Sequence, residues 1–344
     1  SEIIEENAWR QYLRAVRSNM EQYQYRLNQE PIPKPQNQFL RIWSPLFIKW
    51  GIAVAVSMAA GLIFEIIMIA RESGADLKSI QDIYQMQAAL EQYMGRISDS
   101  AELAREMAQE FIKYATPIEG VAALITIPVM LFMFHRDRVR EKESGFVPNN
   151  KAALWKYAGI FILALAVTLG LNNLIEISGI YEMSESYEET MEALYAASLP
   201  MQVACLGVLI PVCEELVFRG LMFRRVRQEA SFLRAAVYSS CVFGFLHGNL
   251  VQILYGFFMG FMFCYLYEKY GSVKAPAFAH MTANIFSVVM TETKVLDRIA
   301  ERPLYMGAVT VICASTAAAV FVLIQRIEEK PQEVLSESSS GKKE

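Results

Sequence analysis

The sequence predicts an all-α, polytopic membrane protein of about eight transmembrane helices built around a buried polar catalytic cavity. Three observations carry this. Apolar residues gather in runs close to the ~20 residues that a helix needs to cross a bilayer. The loops between those runs differ sharply in charge. Ionisable residues recur inside three of the runs, where a charged group costs at least ~2.5 kcal/mol unless it is partnered.

The 344 residues are 54% hydrophobic and 12% aromatic with a net charge of -4, a balance that offers no basic surface to nucleic acid. Cys205, Cys213, Cys241, Cys264 and Cys313 all fall in apolar runs without paired-ligand spacing. They read as small core residues, not as a disulfide framework or a zinc cluster.

Residues 1–45 form the first region. Trp9, Leu13, Val16, Met20, Tyr23 and Leu27 recur at helical spacing opposite Arg10, Arg14, Arg17 and Arg26. This is an amphipathic helix, packed on the protein's own cytoplasmic face or lying on anionic membrane lipid. Pro31, Pro33 and Pro35 then make a stiff linker. No cleavable signal peptide is visible in these polar residues.

The membrane domain, 46–325, holds apolar segments at 46–70, 117–135, 153–175, 199–222, 235–250, 251–267, 275–290 and 304–325. Residues 71–116 are a polar, helical, extracytoplasmic insertion interrupted near Gly95 and Ser98. The tail, 326–344, is polar and expected to be disordered. Arg136, Arg138, Arg140, Lys142 and Lys151 mark one loop as cytoplasmic, and Arg224, Arg225, Arg227 and Arg234 mark another. The 176–198 loop has six glutamates and no Lys or Arg. By the positive-inside rule, eight spans then place both termini in the cytoplasm. The expected host is a prokaryotic plasma membrane.

Three polar groupings converge on one depth. Glu214 lies ten residues before Arg224, His247 thirteen after Arg234, and His280 six after Lys274, or very roughly 10–20 Å below the cytoplasmic boundary. Glu215 and Arg219 share a helix face in the favourable order, which leaves Glu214, about 100° away, for chemistry. Pro211 is expected to kink the helix beside them. His280 and Asn284 share a face, and Phe243 stands one turn before His247, where it shields the imidazole or docks substrate. Ala236, Ser240, Gly244 and Gly248 form a small-residue ladder, and Gly256 with Gly260 a second, both suited to close helix approach. Asn249 and Gln252 read as outer-boundary residues, His135 as interfacial, and Glu65 as a lone intramembrane carboxylate in helix association or lumen contact.

A carboxylate and an imidazole sharing one water make a general base for hydrolysis, and a second His with an Asn amide supplies oxyanion donors. Glu214, His247 and His280 also match a His₂Glu zinc set. The lack of a His-Glu-x-x-His helix, and ligands drawn from three spans, favour a site with no cofactor.

Glu214-Glu215-x-x-x-Arg219, Phe243-x-x-x-His247 and His280-x-x-x-Asn284 together resemble the signature of the CPBP family, which includes type II CaaX prenyl endopeptidases and bacteriocin-processing and immunity-type proteins. The resemblance covers about 90 residues within 200–290. It implies a glutamate-dependent intramembrane protease, with Glu214 and His247 activating water, His280 and Asn284 forming the oxyanion hole, and Glu215, Arg219 and Phe243 in support. The implied partner is a membrane-tethered or lipidated peptide or protein substrate. The rival expectation is a non-enzymatic scaffold or immunity protein that binds a peptide in the same cavity.

Overall fold

The computed structural model describes residues 37–73, 87–88, 90–91, 93–95, 100–143 and 151–327. The expected amphipathic helix at 7–30, the proline linker, most of 74–99, residues 144–150 of the basic loop, and the tail beyond 327 lie outside the described residues. The chain divides into two compact units, 1–41 and 42–344. Of the first, only the start of α1 is described, where Asn37 Oδ1 accepts the Leu40 N–H at 3.2 Å.

The described residues are helical throughout their regular structure. In order they form α1 (Gln38–Ser73), α2 (Ala101–Ile112), α3 (Ala115–Glu143), α4 (Tyr157–Ser178), α5 (Glu185–Tyr195), α6 (Leu199–Arg227), α7 (Phe232–Phe245), α8 (Leu250–Tyr270), α9 (Lys274–Glu292), α10 (Val295–Ala300) and α11 (Pro303–Gln325). Among the described residues, α1, α3, α4, α6, α8 and α11 are long and apolar enough to cross a membrane. The protein is therefore an all-α polytopic membrane protein, but the expected eight spans are six on these criteria. The two segments that fall short are α7, with 14 residues, and α9, whose 19 residues include Lys274, His280, Asn284 and Glu292. Helix α7 is apolar but too short, whereas α9 is long enough and falls short because the polar residues of the site thin its apolar signal.

Burial ranks the helices. In α6, 56% of the apolar window is buried, against 6% in α1, so α6 is central and α1 turns Val54, Met58, Leu62 and Ile66 outward. Such a helix, apolar and unburied, faces lipid. Glu65 is exposed on α1, away from the constellation. His135 is exposed near the basic end of α3.

Helix association inside a bilayer depends on close packing, because lipid tails are as apolar as leucine. Two apolar clusters embody this. One joins Ile160 and Leu163 of α4, Phe263 and Leu266 of α8, Ala279 and Ala283 of α9, and Val320 and Ile324 of α11. The other joins Leu46 of α1, Met130 of α3, Val217 and Leu221 of α6, and Phe243 of α7. Helix α9 packs against α4, α6 and α8, which brings its polar face to the centre.

The glycine ladders bring α7 and α8 into close approach. A β-carbon at Gly244 would stand 2.6 Å from the Ile253 carbonyl oxygen, and one at Gly256 3.1 Å from Gly244 Cα. Gly248 is not a rung. It has open space around it and φ of 82°, a left-handed turn conformation between α7 and α8 that glycine adopts without strain. Asn249 caps α8 reciprocally: its Oδ1 accepts the Gln252 N–H and its Nδ2 donates to Gln252 Oε1, both at 2.9 Å.

The basic ends of α3 and α6 are locked together. Arg225 Nε donates to Asp137 Oδ2 at 2.6 Å, Arg224 forks onto both oxygens of Glu141, and Arg224 Nη1 reaches the Tyr267 hydroxyl at 2.8 Å. Arg224 and Arg225 are 9% and 4% exposed, so they act as buried ion-pair partners and not as free loop charges. The expected 136–151 loop is helical as far as Glu143.

Candidate active site

Helix α6 is not a plain α-helix. Cys205–Leu209 and Leu216–Phe223 are wider π-helical segments, and Ile210–Glu215 between them is α-helical. Such segments concentrate at functional sites, and neither is legible from hydropathy. Proline explains where the first one ends. A π-helical bond runs from an N–H to the carbonyl five residues earlier, as from Ile210 N to Cys205 O. The next would run from residue 211 to Leu206, and Pro211 has no N–H to give. Asn284 Nδ2 fills the vacancy from α9, donating to Leu206 O at 2.9 Å. One amide hydrogen of Asn284 is thus committed to the backbone of α6, which ties α9 to the turn carrying the glutamates.

Glu215 and Arg219 form the expected pair. Arg219 Nη1 donates to Glu215 Oε1 at 2.9 Å with both side chains fully buried. The same oxygen lies 2.9 Å from His280 Nδ1, a contact that sequence reasoning did not anticipate. A carboxylate oxygen only accepts here, so His280 Nδ1 carries hydrogen and donates. Arg219 Nε and Nη2 have no hydrogen-bond acceptor among the described residues. Instead the guanidinium sits 4.4 Å from the Phe243 ring and 5.1 Å from the Phe263 ring, where aromatic faces stabilise a desolvated cation. Gly260 makes room for it, since a β-carbon there would stand 2.9 Å from Arg219 Nη2.

Phe243 organises both imidazoles. Its ring meets His247 edge-on at 4.9 Å and His280 at 5.8 Å, while Phe263 stacks on His280 at 4.8 Å. His247 Nδ1 lies 2.8 Å from the Phe243 carbonyl oxygen. That oxygen cannot donate, so Nδ1–H does, and neutral His247 presents a lone pair at Nε2. Glu214 is partly exposed, and its Oε2 lies 3.9 Å from His280 Nε2. The carboxylate adjacent in sequence is therefore sealed while Glu214 stays reachable.

The structure brings Glu214, Glu215, Arg219, Phe243 and His280 into one connected group, with His247 attached through Phe243 and Asn284 tied to α6. Among the described residues, no group of three or more His, Cys, Asp or Glu side chains has metal-holding geometry.

The fold and this group define an integral membrane protein with a buried carboxylate–imidazole site. Residues 196–286 match the family described as type II CAAX prenyl endopeptidase Rce1-like, a span that contains every residue of the group. It is 27% identical over 173 residues to YdiL of Bacillus subtilis (strain 168), whose name assigns it as a membrane peptidase, covering 50% of this chain and 69% of that one. It is 26% identical over 185 residues to the membrane-embedded CAAX protease MroQ of Staphylococcus aureus (strain USA300), covering 52% of this chain and 70% of that one. No solved structure matches. Together these similarities indicate a membrane protease of the CAAX type.

Proposed function

We propose that the protein is an intramembrane endopeptidase that hydrolyses a peptide bond of a membrane-associated or lipidated, CaaX-like protein or leader peptide. The observation that carries this reading is the tautomer of His247: with Nδ1–H held by the Phe243 carbonyl, Nε2 is the acceptor a general base requires. Glu214 and His247 Nε2 take a proton from water as its oxygen attacks the scissile carbonyl carbon. His280 donates from Nε2 to the oxyanion. Because its Nδ1–H already serves Glu215, it does so as the imidazolium, the only state with two N–H groups. The remaining amide hydrogen of Asn284 is the second donor. Collapse of the tetrahedral species breaks the C–N bond, and the abstracted proton leaves on the amine.

Glu215 and Arg219 hold His280 in place without touching substrate. The joined basic ends of α3 and α6 support a cytoplasmic position for that face, with the scissile bond close to the cytoplasmic leaflet and the host a prokaryotic plasma membrane. The test is peptide-terminus profiling of membranes from cells expressing wild type or Glu214→Gln at matched abundance. New termini present only in the wild type support the reading and supply the substrate. Identical profiles, with Glu214→Gln still restoring the deletion phenotype, overturn it in favour of a peptide-binding scaffold.

A further inference from the structure

Helix α9 carries a polar stripe that continues past the site. His280, Asn284, Ser287 and Thr291 recur at helical spacing on one face. From His280 the stripe extends ~16 Å toward the boundary opposite the α3–α6 lock. Other helices meet it with polar groups of their own. The Tyr255 hydroxyl of α8 faces Ser287 and also Thr168 of α4. Further along, Tyr195 of α5 faces Thr291. Gln202 of α6 ends the series, its Nε2 donating to the Ala197 carbonyl at 2.8 Å and to Glu292 Oε1 at 2.7 Å.

This seam is buried, and its hydrogen bonding is incomplete. Thr168 is 0% exposed and Gln202 1%, yet Thr168 Oγ1 and Gln202 Oε1 have no hydrogen-bond partner among the described residues. Buried polar atoms are costly to leave unpaired. The lining tells what completes them. Beyond Asn284 the seam is neutral apart from Glu292, whose Oε1 already serves Gln202. Hydroxyls together with a bare amide oxygen call for a small molecule that both donates and accepts. Helix α9 packs on α4 through the buried Ala279 and Ala283, a contact too close to admit a peptide. Water meets each condition, and it bridges polar groups that face each other without bonding, as Tyr255 and Thr168 do.

We infer that a file of ordered water runs along this seam to Asn284 and supplies the molecule that attacks the scissile carbonyl. This rests on the endopeptidase reading above. The peptide reaches Glu214 from its exposed side, and by seating there it displaces solvent from that side. The basic end offers no polar route along α6. Its Leu216, Val217, Phe218, Leu221, Met222 and Phe223 are apolar and at most 4% exposed. The stripe on α9 leads the other way and ends at Asn284, one turn from the His280 imidazole. Tyr255, Thr168 and Ser287 thus act on the reaction by holding water and not by touching the peptide.

The experiment applies pulsed X-ray radiolysis to the full chain in nanodiscs, where hydroxyl radicals formed from bound water oxidise the side chains beside it. Tyr270 is the reference, the same residue type at 0% exposure with its hydroxyl on the Lys156 carbonyl at 2.9 Å. Tyr255 is expected to be oxidised several-fold faster than Tyr270. Ser287→Val and Ser287→Thr are then compared, because the two new side chains share one shape and differ in the hydroxyl. Ser287→Val is expected to slow Tyr255 oxidation and to lower kcat several-fold on the peptide found by terminus profiling, with KM and Tm held. Ser287→Thr is expected to keep both rates near wild type. Tyr255 oxidised no faster than Tyr270, or at a rate that Ser287→Val leaves unchanged, overturns the water file. Equal kcat in the two variants overturns its role in supplying the reaction and leaves the endopeptidase reading standing. A wild type without Glu214-dependent turnover removes that reading and the supply role together, while the oxidation rates still decide whether the seam holds water.

Discussion

His280 Nδ1 and Arg219 Nη1 both lie 2.9 Å from the same oxygen, Oε1 of Glu215. One buried carboxylate oxygen therefore neutralises a cation and orients an imidazole. Glu215→Gln leaves Arg219 as an uncompensated buried charge, a loss on the order of 3–5 kcal/mol. We predict a markedly lower Tm in detergent and reduced abundance in membranes. A Tm within a degree of wild type would show that the aromatic rings around Arg219 suffice without Glu215.

Asn284 and Pro211 are coupled through Leu206. Removing the side chain in Asn284→Ala orphans the Leu206 carbonyl, at a cost of roughly 1–3 kcal/mol. Pro211→Ala supplies the N–H that the π-helical register lacks. The double variant is therefore expected to recover part of the lost stability, a non-additive result in a double-mutant cycle. Its activity should stay low, since the remaining amide hydrogen of Asn284 is also gone. Strict additivity in thermal unfolding would contradict this account of the π segment.

Gly260→Ala places a β-carbon 2.9 Å from Arg219 Nη2, against Ser240 Cβ at 3.2 Å and the Phe243 ring at 3.3 Å. Overpacking at such a site costs about 1–3 kcal/mol. Because Phe243 contacts both histidines, turnover is expected to fall further than the loss of folded protein accounts for. Activity per folded molecule, measured beside the Tm, separates the two effects.

His247→Gln keeps a polar side chain near the α7–α8 turn but removes the basic Nε2 lone pair. The expected outcome is a fall in kcat of about 10²–10⁴-fold, the range for a lost general base, with Tm close to wild type. An unchanged kcat would move the proton-accepting role to Glu214 alone.

Much of this site is legible in the chain because membranes penalise polar residues. Glu214, His247 and His280 stand out as ionisable groups in apolar runs, and i, i+4 spacing already pairs Glu215 with Arg219. What stays hidden depends on long-range or backbone geometry. The His280–Glu215 bond joins residues 65 apart, and the π-helical segments leave no hydropathy signature. The ion pairs of Arg224 and Arg225 resemble loop charges until α3 is seen to extend to Glu143. The span count suffers in part from the feature that reveals the site: α9 is less apolar because of the polar residues it carries, while α7 is apolar but only 14 residues long.

The division of labour between adjacent glutamates is the central claim, and a paired comparison of Glu214→Gln and Glu215→Gln tests it most directly. Both variants would be reconstituted in nanodiscs, with Tm and turnover of the profiled substrate measured on the same samples. The account predicts that Glu214→Gln keeps the wild-type Tm and loses turnover, while Glu215→Gln loses Tm. Turnover surviving in Glu214→Gln, or equal destabilisation of the two variants, would contradict it.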